Sequence, residues 1–335
     1  MNKKIRWGIL STAKIGTGQV IPAMQKGRFI EITAIASRNL STATETAKQL
    51  NIPKAYGSYE ELLADQSIDA IYIPLPNHLH VEWSIKCMEA GKHVLCEKPI
   101  ALTTEDVKKL IAVRDKTGKK ISEAFMVRSH PQWLKAVELV NKGELGEVKA
   151  IQGFFSYFNR DTENIRNIQE YGGGSIWDIG CYPINTSRLI FNEKPKRVIA
   201  LTENDPQFKV DRLASAILDF PSGQAVFTSA TQLSPYQRMS VFGTEKHLEI
   251  EIPFNSPIDK PTRIFINDTV SRDDERKIIE LDTCDQYTHQ GDNFSQAILK
   301  NSEVPVPLED SLINTATIQA LFKSANTGQW ENINV

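Results

Sequence analysis

The sequence predicts an open parallel α/β unit followed by an α+β unit with a large, mainly antiparallel sheet. Three observations carry that prediction. The chain has 335 residues, more than one ordinary core holds. As far as Phe125, short apolar runs alternate with amphipathic stretches, the rhythm of strands joined by helical crossovers. Beyond it, strand-like runs succeed one another with only turn residues between them, as in an antiparallel sheet. The expected division is therefore 1–125 and 126–335.

Composition narrows the class. Apolar residues make up 41% and charged residues 24%, which a globular chain needs to bury a core and a disordered one lacks. The net charge is −2 and there is no Lys/Arg-rich block, so nothing drives counterion-release binding to nucleic acid or attraction to an anionic membrane. Met1-Asn2-Lys3-Lys4 leads straight into a strand-like run without the apolar core of a signal peptide, and no stretch is long enough to span a bilayer. Cys87, Cys96, Cys181 and Cys284 lack paired spacing, which suits reduced thiols in a cytoplasm better than disulfides or zinc.

Ile5–Ser11 reads as the first strand and Ile15–Gln25 as the first helix. The dinucleotide-binding turn wants glycines where Ser11, Ala13 and Gly16 stand. Only the third is glycine, the one that lets helix pack on strand. Ser11 and Ala13 are still small enough for a pyrophosphate to approach backbone N–H groups at the helix start. After the next strand, Glu31–Ala36, an NAD-specific site would place an acid. Here stands Ser37-Arg38-Asn39, and a guanidinium pairs with a 2′-phosphate that a carboxylate would repel. NADP(H) is therefore expected, with NAD possible.

The alternation continues through helices Leu40–Leu50 and Tyr59–Ala64, strand Ala70–Ile73, and a helix His78–Ala90 with Asn77 as its cap. His78 and His80, two apart, point to different helix faces with no third ligand evident, so no metal is expected. The strand His93–Cys96 ends abruptly at Glu97-Lys98-Pro99. In open α/β sheets ligands sit beyond the carboxyl ends of the strands, so Glu97 and Lys98 are expected to face one. A helix Thr103–Thr117 and a strand Lys120–Phe125 complete the unit.

In the second half a helix, Pro131–Asn141, precedes strands at Val148–Phe158, Arg197–Thr202, Leu213–Phe220, Gln224–Thr231, Arg238–Gly243, His247–Ile252, Arg263–Ile266 and Lys277–Leu281. Helices at Tyr287–Asn301 and Leu308–Ala325 close the chain. Before the second strand lies Tyr171-Gly-Gly-Gly174-Ser-Ile-Trp-Asp178-Ile-Gly-Cys-Tyr182. On a helix Asp178 and Tyr182 share a face, where they could orient and deprotonate a hydroxyl. The alternative is that Asp178 caps the helix and Tyr182 is a buried aromatic. The helices can cover only one sheet face; apolar residues on the other, expected among Phe154, Tyr157 and Phe227, would need another subunit. A homodimer or higher homo-oligomer through sheet faces follows.

The order of the fingerprint region, Pro76-Asn77-x-x-His80, Glu97-Lys98-Pro99 and Gly172-Gly-Gly-x-x-x-Asp178 resembles the Gfo/Idh/MocA oxidoreductase family over essentially the whole chain. Ala55-Tyr-Gly-Ser-Tyr-Glu-Glu61 and Tyr182, where many members carry histidine, resemble its dihydrodiol dehydrogenase and NADP-dependent D-xylose dehydrogenase branch. The resemblance implies a Rossmann domain that holds NADP(H), with Ser11, Thr12, Ala13, Ile15 and Gly16 at the pyrophosphate and Ser37 and Arg38 at the 2′-phosphate. It places Pro76, Asn77 and His80 around the ribose and nicotinamide, and Glu97 against the cofactor. Lys98 would touch cofactor and substrate, with Arg166, Asp178 and Tyr182 in the substrate site.

The expected chemistry is hydride transfer at a carbinol or carbonyl carbon of a sugar or cyclic diol. Free tyrosine titrates near 10 and is a poor base, but a neighbouring ammonium lowers that value and stabilises an alkoxide. Tyr182 as acid/base with Lys98 beside it comes first, and Lys98 as the base second; Asp178 would orient the substrate. The rivals are a reductase of a dicarbonyl sugar or a tetrapyrrole, and a catalytically silent NADP sensor. The first is separated by a substrate panel and the second by any turnover.

Overall fold

The computed structural model describes residues 3–267 and 276–335, which divide into two compact units. The first comprises the chain up to Ser129 together with Asp285–Leu312, and the second His130–Cys284 with Ile313–Val335.

In the first unit the strands are β1 (Ile5–Leu10), β2 (Ile30–Ala36), β3 (Lys54–Tyr56), β4 (Ala70–Ile73), β5 (His93–Glu97) and β6 (Ile121–Ala124). They form one parallel sheet in the order β3-β2-β1-β4-β5-β6. Both faces are covered, so the central strands are apolar throughout: Ile71, Val94 and Cys96 pack into one core cluster, Trp7, Ile9, Tyr72 and Leu95 into the other. The order reverses between β1 and β4, which opens a crevice beyond their carboxyl ends. Helices α1 (Ile21–Met24), α2 (Leu40–Gln49), α3 (Tyr59–Ala64), α4 (His80–Glu89) and α5 (Thr104–Thr117) join the strands. A wide turn at Gly16–Val20 precedes α1, in which the Ile21 N–H reaches back five residues to the Gly16 carbonyl. Pro22, which has no N–H, follows at once and explains the break in regular spacing.

The second unit begins with α6 (Pro131–Asn141). Its strands are β7 (Val148–Phe158), β8 (Arg197–Asn204), β9 (Asp211–Asp219), β10 (Gln224–Ala230), β11 (Gln232–Gly243), β12 (His247–Ile250), β13 (Thr262–Asn267), β14 (Lys277–Leu281) and β15 (Glu331–Asn332). Their order is β14-β13-β12-β11-β7-β10-β9-β8-β15, and the pairings are antiparallel except β7 with β10. The helix α7 (Cys181–Phe191) lies in the long connection between β7 and β8. Strand β11 starts six residues before the expected Arg238.

Side chains alternate along β7. Gly153, Phe155 and Tyr157 point to the α7 side, where Phe155 meets the Tyr182 ring. Phe154 lies on the opposite face against Tyr236. The expectation that Phe154, Tyr157 and Phe227 share the open face is therefore corrected. Tyr157 is three residues from Phe154 and must point the other way, and Phe227 packs against the backbone position of Gly180. The open face instead carries a groove of about 800 Å³ lined by Phe154, Ile217, Tyr236, Arg238 and Glu249 among others.

Helices α8 (Gln286–Lys300) and α9 (Leu308–Thr327) end the chain. The pattern placed α8 correctly in sequence, and in the structure it belongs to the first unit. Phe294 packs on Trp7, the Trp7 indole N–H donates to Ser295 Oγ at 3.2 Å, and Asp292 accepts the N–H groups of Arg28 and Phe29 at 3.0 and 2.9 Å. Among the described residues no helix is long and apolar enough to cross a membrane.

Candidate active site

The turn after β1 keeps the shape of a dinucleotide site without its first glycine. Ser11 adopts φ +88°, the left-handed region that favours glycine, and its N–H donates to the Ala36 carbonyl at 2.9 Å. Its hydroxyl accepts the Ala13 N–H at 3.3 Å, an internal support glycine could not give. At Gly16 an added Cβ would stand 3.3 Å from Pro74 Cγ, so helix and strand end approach closely there. Thr12, Ala13 and Ile15 lie half-buried between these two points. A left-handed turn opening directly into a helix at a sheet reversal fits a dinucleotide pyrophosphate.

At the end of β2, Ser37 donates its N–H to Tyr56 O at 3.2 Å, and Arg38 is exposed. Asn39 is structural: its Oδ1 caps α2 by accepting the N–H groups of Ser41 and Thr42. Burial raises the Tyr59 phenol, and the nearby Arg38 charge opposes that shift.

The loop after β4 departs from expectation in two respects. A tight 3₁₀ turn, Asn77–Leu79, precedes α4, and no side chain caps either. His80 is fully buried, with Nδ1 2.7 Å from the Pro99 carbonyl and Nε2 2.7 Å from the Leu75 carbonyl. A neutral imidazole donates from only one of its nitrogens, so His80 holds one of these two carbonyls by a hydrogen bond and packs against the other, between the loops after β4 and β5. Burial pushes its pKa down to about 4, against the pull of the two carbonyls, and the Lys98 charge adds to the lowering. Pro76 and Asn77 remain half-buried at the strand end.

Glu97 closes β5, and its Oε1 accepts the Tyr72 hydroxyl at 2.7 Å. Burial and then the Glu97 charge raise the Tyr72 phenol well above its ordinary value, so it stays a neutral donor. Lys98 follows, half-buried, joined to Pro99 by a cis peptide bond. The Tyr287 phenol on α8 is likewise raised by burial and then by the Glu97 charge.

The second unit assembles its own polar cluster. Helical structure starts with a wide turn at Ile176–Gly180 and continues into α7, Pro183 again following the irregular turn. Asp178 in this turn accepts the Arg166 Nε–H at 3.0 Å on Oδ1 and the Tyr157 hydroxyl at 2.5 Å on Oδ2. The Asp178 charge holds the Arg166 guanidinium above its ordinary value, and burial followed by Asp178 raises the Tyr157 phenol. Tyr182 is 5% exposed, its ring 5.9 Å from that of Phe155 and 5.4 Å from that of Phe254. Tyr182 is thus a buried aromatic, and Asp178 is held by two side chains. The cluster is a fixed carboxylate acceptor beside a guanidinium and two phenols, a set that can receive a polyol's hydroxyls.

Sequence reasoning brought Asp178, Arg166 and Tyr182 together but missed Tyr157 and Tyr72. The signal for Tyr157 was parity: it shares a strand face with Phe155 and Gly153. Lys98 and the Ser11–Gly16 turn belong to the first unit, and Asp178, Arg166 and Tyr182 to the second.

Residues 5–125 match the model of the oxidoreductase family with an NAD-binding Rossmann fold (GFO_IDH_MocA), and residues 133–249 match the GFO/IDH/MocA C-terminal domain. The chain is 38% identical over 325 residues to a D-xylose 1-dehydrogenase (NADP(+)) of Haloferax volcanii, covering 96% of this chain and 98% of that one. It is 32% identical over 336 residues to a trans-1,2-dihydrobenzene-1,2-diol dehydrogenase of Xenopus laevis, covering 94% and 97%. Among solved structures it resembles KijD10, a 3-ketoreductase from Actinomadura kijaniata in complex with NADP and TDP-benzene, at TM-score 0.88 and 28% identity over 96% of this chain and 98% of that one. KijD10 has also been solved with a lysine changed to alanine and with a tyrosine changed to phenylalanine.

Proposed function

Since the chain belongs to the Gfo/Idh/MocA family of NAD(P)-dependent oxidoreductases, we propose that it moves a hydride between NADP(H) and a carbinol or carbonyl carbon of a sugar or cyclic diol. The observation that carries this reading is the Asp178 carboxylate, fixed by Arg166 and Tyr157 in the helix that also bears Tyr182. Such an acceptor suits adjacent hydroxyls and would be wasted on an apolar substrate.

When bound, the cofactor supplies the hydride acceptor or donor. The turn Ser11–Gly16, with Thr12, Ala13 and Ile15, holds its pyrophosphate, and Ser37 and Arg38 its 2′-phosphate. Pro76, Asn77 and Glu97 line the nicotinamide end. The Arg166 and Tyr157 donors stabilise the Asp178 charge and leave each oxygen a lone pair for a substrate hydroxyl, so Asp178 orients the substrate rather than taking its proton. That proton passes to the Tyr182 hydroxyl, whose ionised form the Lys98 ammonium favours; Lys98 as the base is the second assignment. The lysine and tyrosine altered in KijD10 are as far apart in that chain as Lys98 and Tyr182 are here, which supports the pairing. That likeness also favours a second reading, reduction of a keto sugar carried on a nucleotide, by the same residues in reverse.

A second copy of the chain covers the open sheet face, giving at least a homodimer in the cytoplasm. Leu201 is 77% exposed on this face and Tyr236 50%, an apolar patch that water disfavours. A monomer by light scattering across micromolar concentrations refutes that assembly. The function is tested by offering aldoses, cyclic diols and NADP⁺ and following absorbance of the reduced cofactor. Turnover of an aldose or diol supports the reading, and reduction of keto sugars alone favours the second.

A further inference from the structure

The helix bearing Asp178 and Tyr182 starts against a buried carboxylate that the proposed chemistry does not use. Asp211, the first residue of β9, is 4% exposed. Its Oδ2 accepts both the Ile176 N–H and the Ser175 hydroxyl, each at 2.7 Å. Ser175 Oγ also lies 3.1 Å from Ser229 Oγ on β10. The other oxygen explains a glycine. Gly174 has φ +110°, and a Cβ there would come within 2.0 Å of Asp211 Oδ1. Its neighbour is clamped from the opposite direction, because a Cβ at Gly173 would meet the Arg166 carbonyl oxygen at 2.5 Å. The Gly174 N–H donates to that same carbonyl at 2.9 Å. Asp211 on one flank and the Arg166 loop on the other therefore grip the glycine run directly ahead of Asp178.

We propose that Asp211 is a positioning residue for the reaction: by holding Ser175 and Ile176 it fixes where the helix begins, and with it the places of Asp178, Arg166 and Tyr182. The inference rests on the assignment of those residues to the substrate site. Two donors converge on one oxygen of Asp211, and an ionised carboxylate binds both more strongly than a neutral amide oxygen would. Burial of that carboxylate is costly, and pushes its pKa up to about 6. The charged groups on the elements packed around it are engaged elsewhere. Arg212 pairs with Glu203 of β8, Asp205 accepts the Gln232 amide and the N–H groups of Gln207 and Phe208, and Asp178 holds Arg166. Lys209, in the connection from β8, is exposed. The carboxylate thus serves the start of the helix rather than a salt bridge.

The test uses Asp211→Asn, Asp211→Ala and Ser175→Ala in the full chain. Three quantities are read: kcat/KM on the active substrate, NADPH affinity by fluorescence, and hydrogen exchange over residues 174–182. Loss of the charge that strengthens both bonds predicts a fall in kcat/KM of about 10-fold for Asp211→Asn, carried by kcat, with NADPH affinity kept. Asp211→Ala falls further, because asparagine still offers an oxygen to the Ile176 N–H, and Ser175→Ala falls less. Exchange over 174–182 rises in the same order. A folded Asp211→Asn with wild-type kcat/KM and wild-type exchange overturns the inference, as does an alanine variant equal to the asparagine one. If both Asp211 variants fail to fold, unchanged kcat/KM and exchange in Ser175→Ala overturn it alone. The exchange needs no substrate, so a wild-type protein that turns over nothing refutes the proposed function while the positioning role is still decided.

Discussion

Replacing Tyr157 by phenylalanine removes one atom from the substrate site and tests the logic of the Asp178 cluster. The Tyr157 hydroxyl donates to Asp178 Oδ2 at 2.5 Å, in the short range of charge-assisted O–H···O⁻ bonds. Such a bond contributes about 1.5–3 kcal/mol net. If that energy holds the carboxylate where the transition state needs it, kcat/KM falls by roughly 10- to 100-fold. The Arg166 Nε contact on Oδ1 remains in the variant, so the carboxylate swings rather than detaches. Affinity for NADPH is unchanged, since Tyr157 belongs to the second unit and the pyrophosphate turn to the first. Burial and the Asp178 charge keep the Tyr157 phenol protonated far above neutrality. The ratio of wild-type to variant kcat/KM is therefore constant between pH 6 and 9, whereas loss of a titrating base would change it. The assay is initial-rate kinetics on the active sugar or diol across that range, with NADPH binding by fluorescence. A variant within twofold of wild type in kcat/KM refutes the assignment, and a strongly pH-dependent ratio makes Tyr157 part of the proton path instead.

How much of this could be read from the sequence depended on whether a feature is local. The parallel sheet was legible because each strand is a short apolar run buried on both faces, Ile71–Ile73 and Val94–Cys96 among them. The place of α8 was not: its pattern identifies a helix, but only the fold shows Phe294 against Trp7. Ser11 was identified by its position in the fingerprint, while its left-handed φ required the backbone. The surroundings of His80 were not legible, because nothing local announces that its ring nitrogens lie against the carbonyls of Leu75 and Pro99. The glycine run 172–174 stood out in the sequence, but not what packs against it. In the structure Asp211 and the Arg166 carbonyl approach it closely. Asp211 lies 33 residues beyond Asp178, and only the second sheet, in which it pairs with Asn204 of β8, brings it to the helix start.

The other predictions test cofactor choice, proton transfer and the cost of the Asp211 site. Arg38→Ala weakens NADP⁺ by about 10- to 100-fold and leaves NAD⁺ nearly unchanged, read by titration; equal loss for both removes Arg38 from the 2′-phosphate. Lys98→Met and Tyr182→Phe each lower kcat by about 10²–10⁴, and the double variant falls no further than the worse single one. An active Tyr182→Phe beside a dead Lys98→Met makes the lysine the base. Asp211 also predicts that stability and activity part ways. Its pKa rises from 3.8 to about 6 through burial, so the native state holds that proton more tightly than the unfolded chain does. The stabilisation is complete below the unfolded value and is lost as pH rises through 6, up to about 3 kcal/mol in all. His80 and His93, both pushed down to about 4 chiefly by burial, act with the opposite sign: their contribution is present above 6.5 and is lost as pH falls toward 4. Wild-type stability alone therefore mixes the two, and the difference from Asp211→Asn, in which both histidines cancel, isolates the carboxylate. Relative to wild type that variant gains stability between pH 4 and pH 7 by denaturant unfolding and no more above that, while its kcat/KM is the lower. A difference that is flat with pH would mean that Asp211 titrates alike in the folded and the unfolded chain, and one that keeps growing above pH 7 would mean that Asp211 holds Ser175 and Ile176 as a neutral acid.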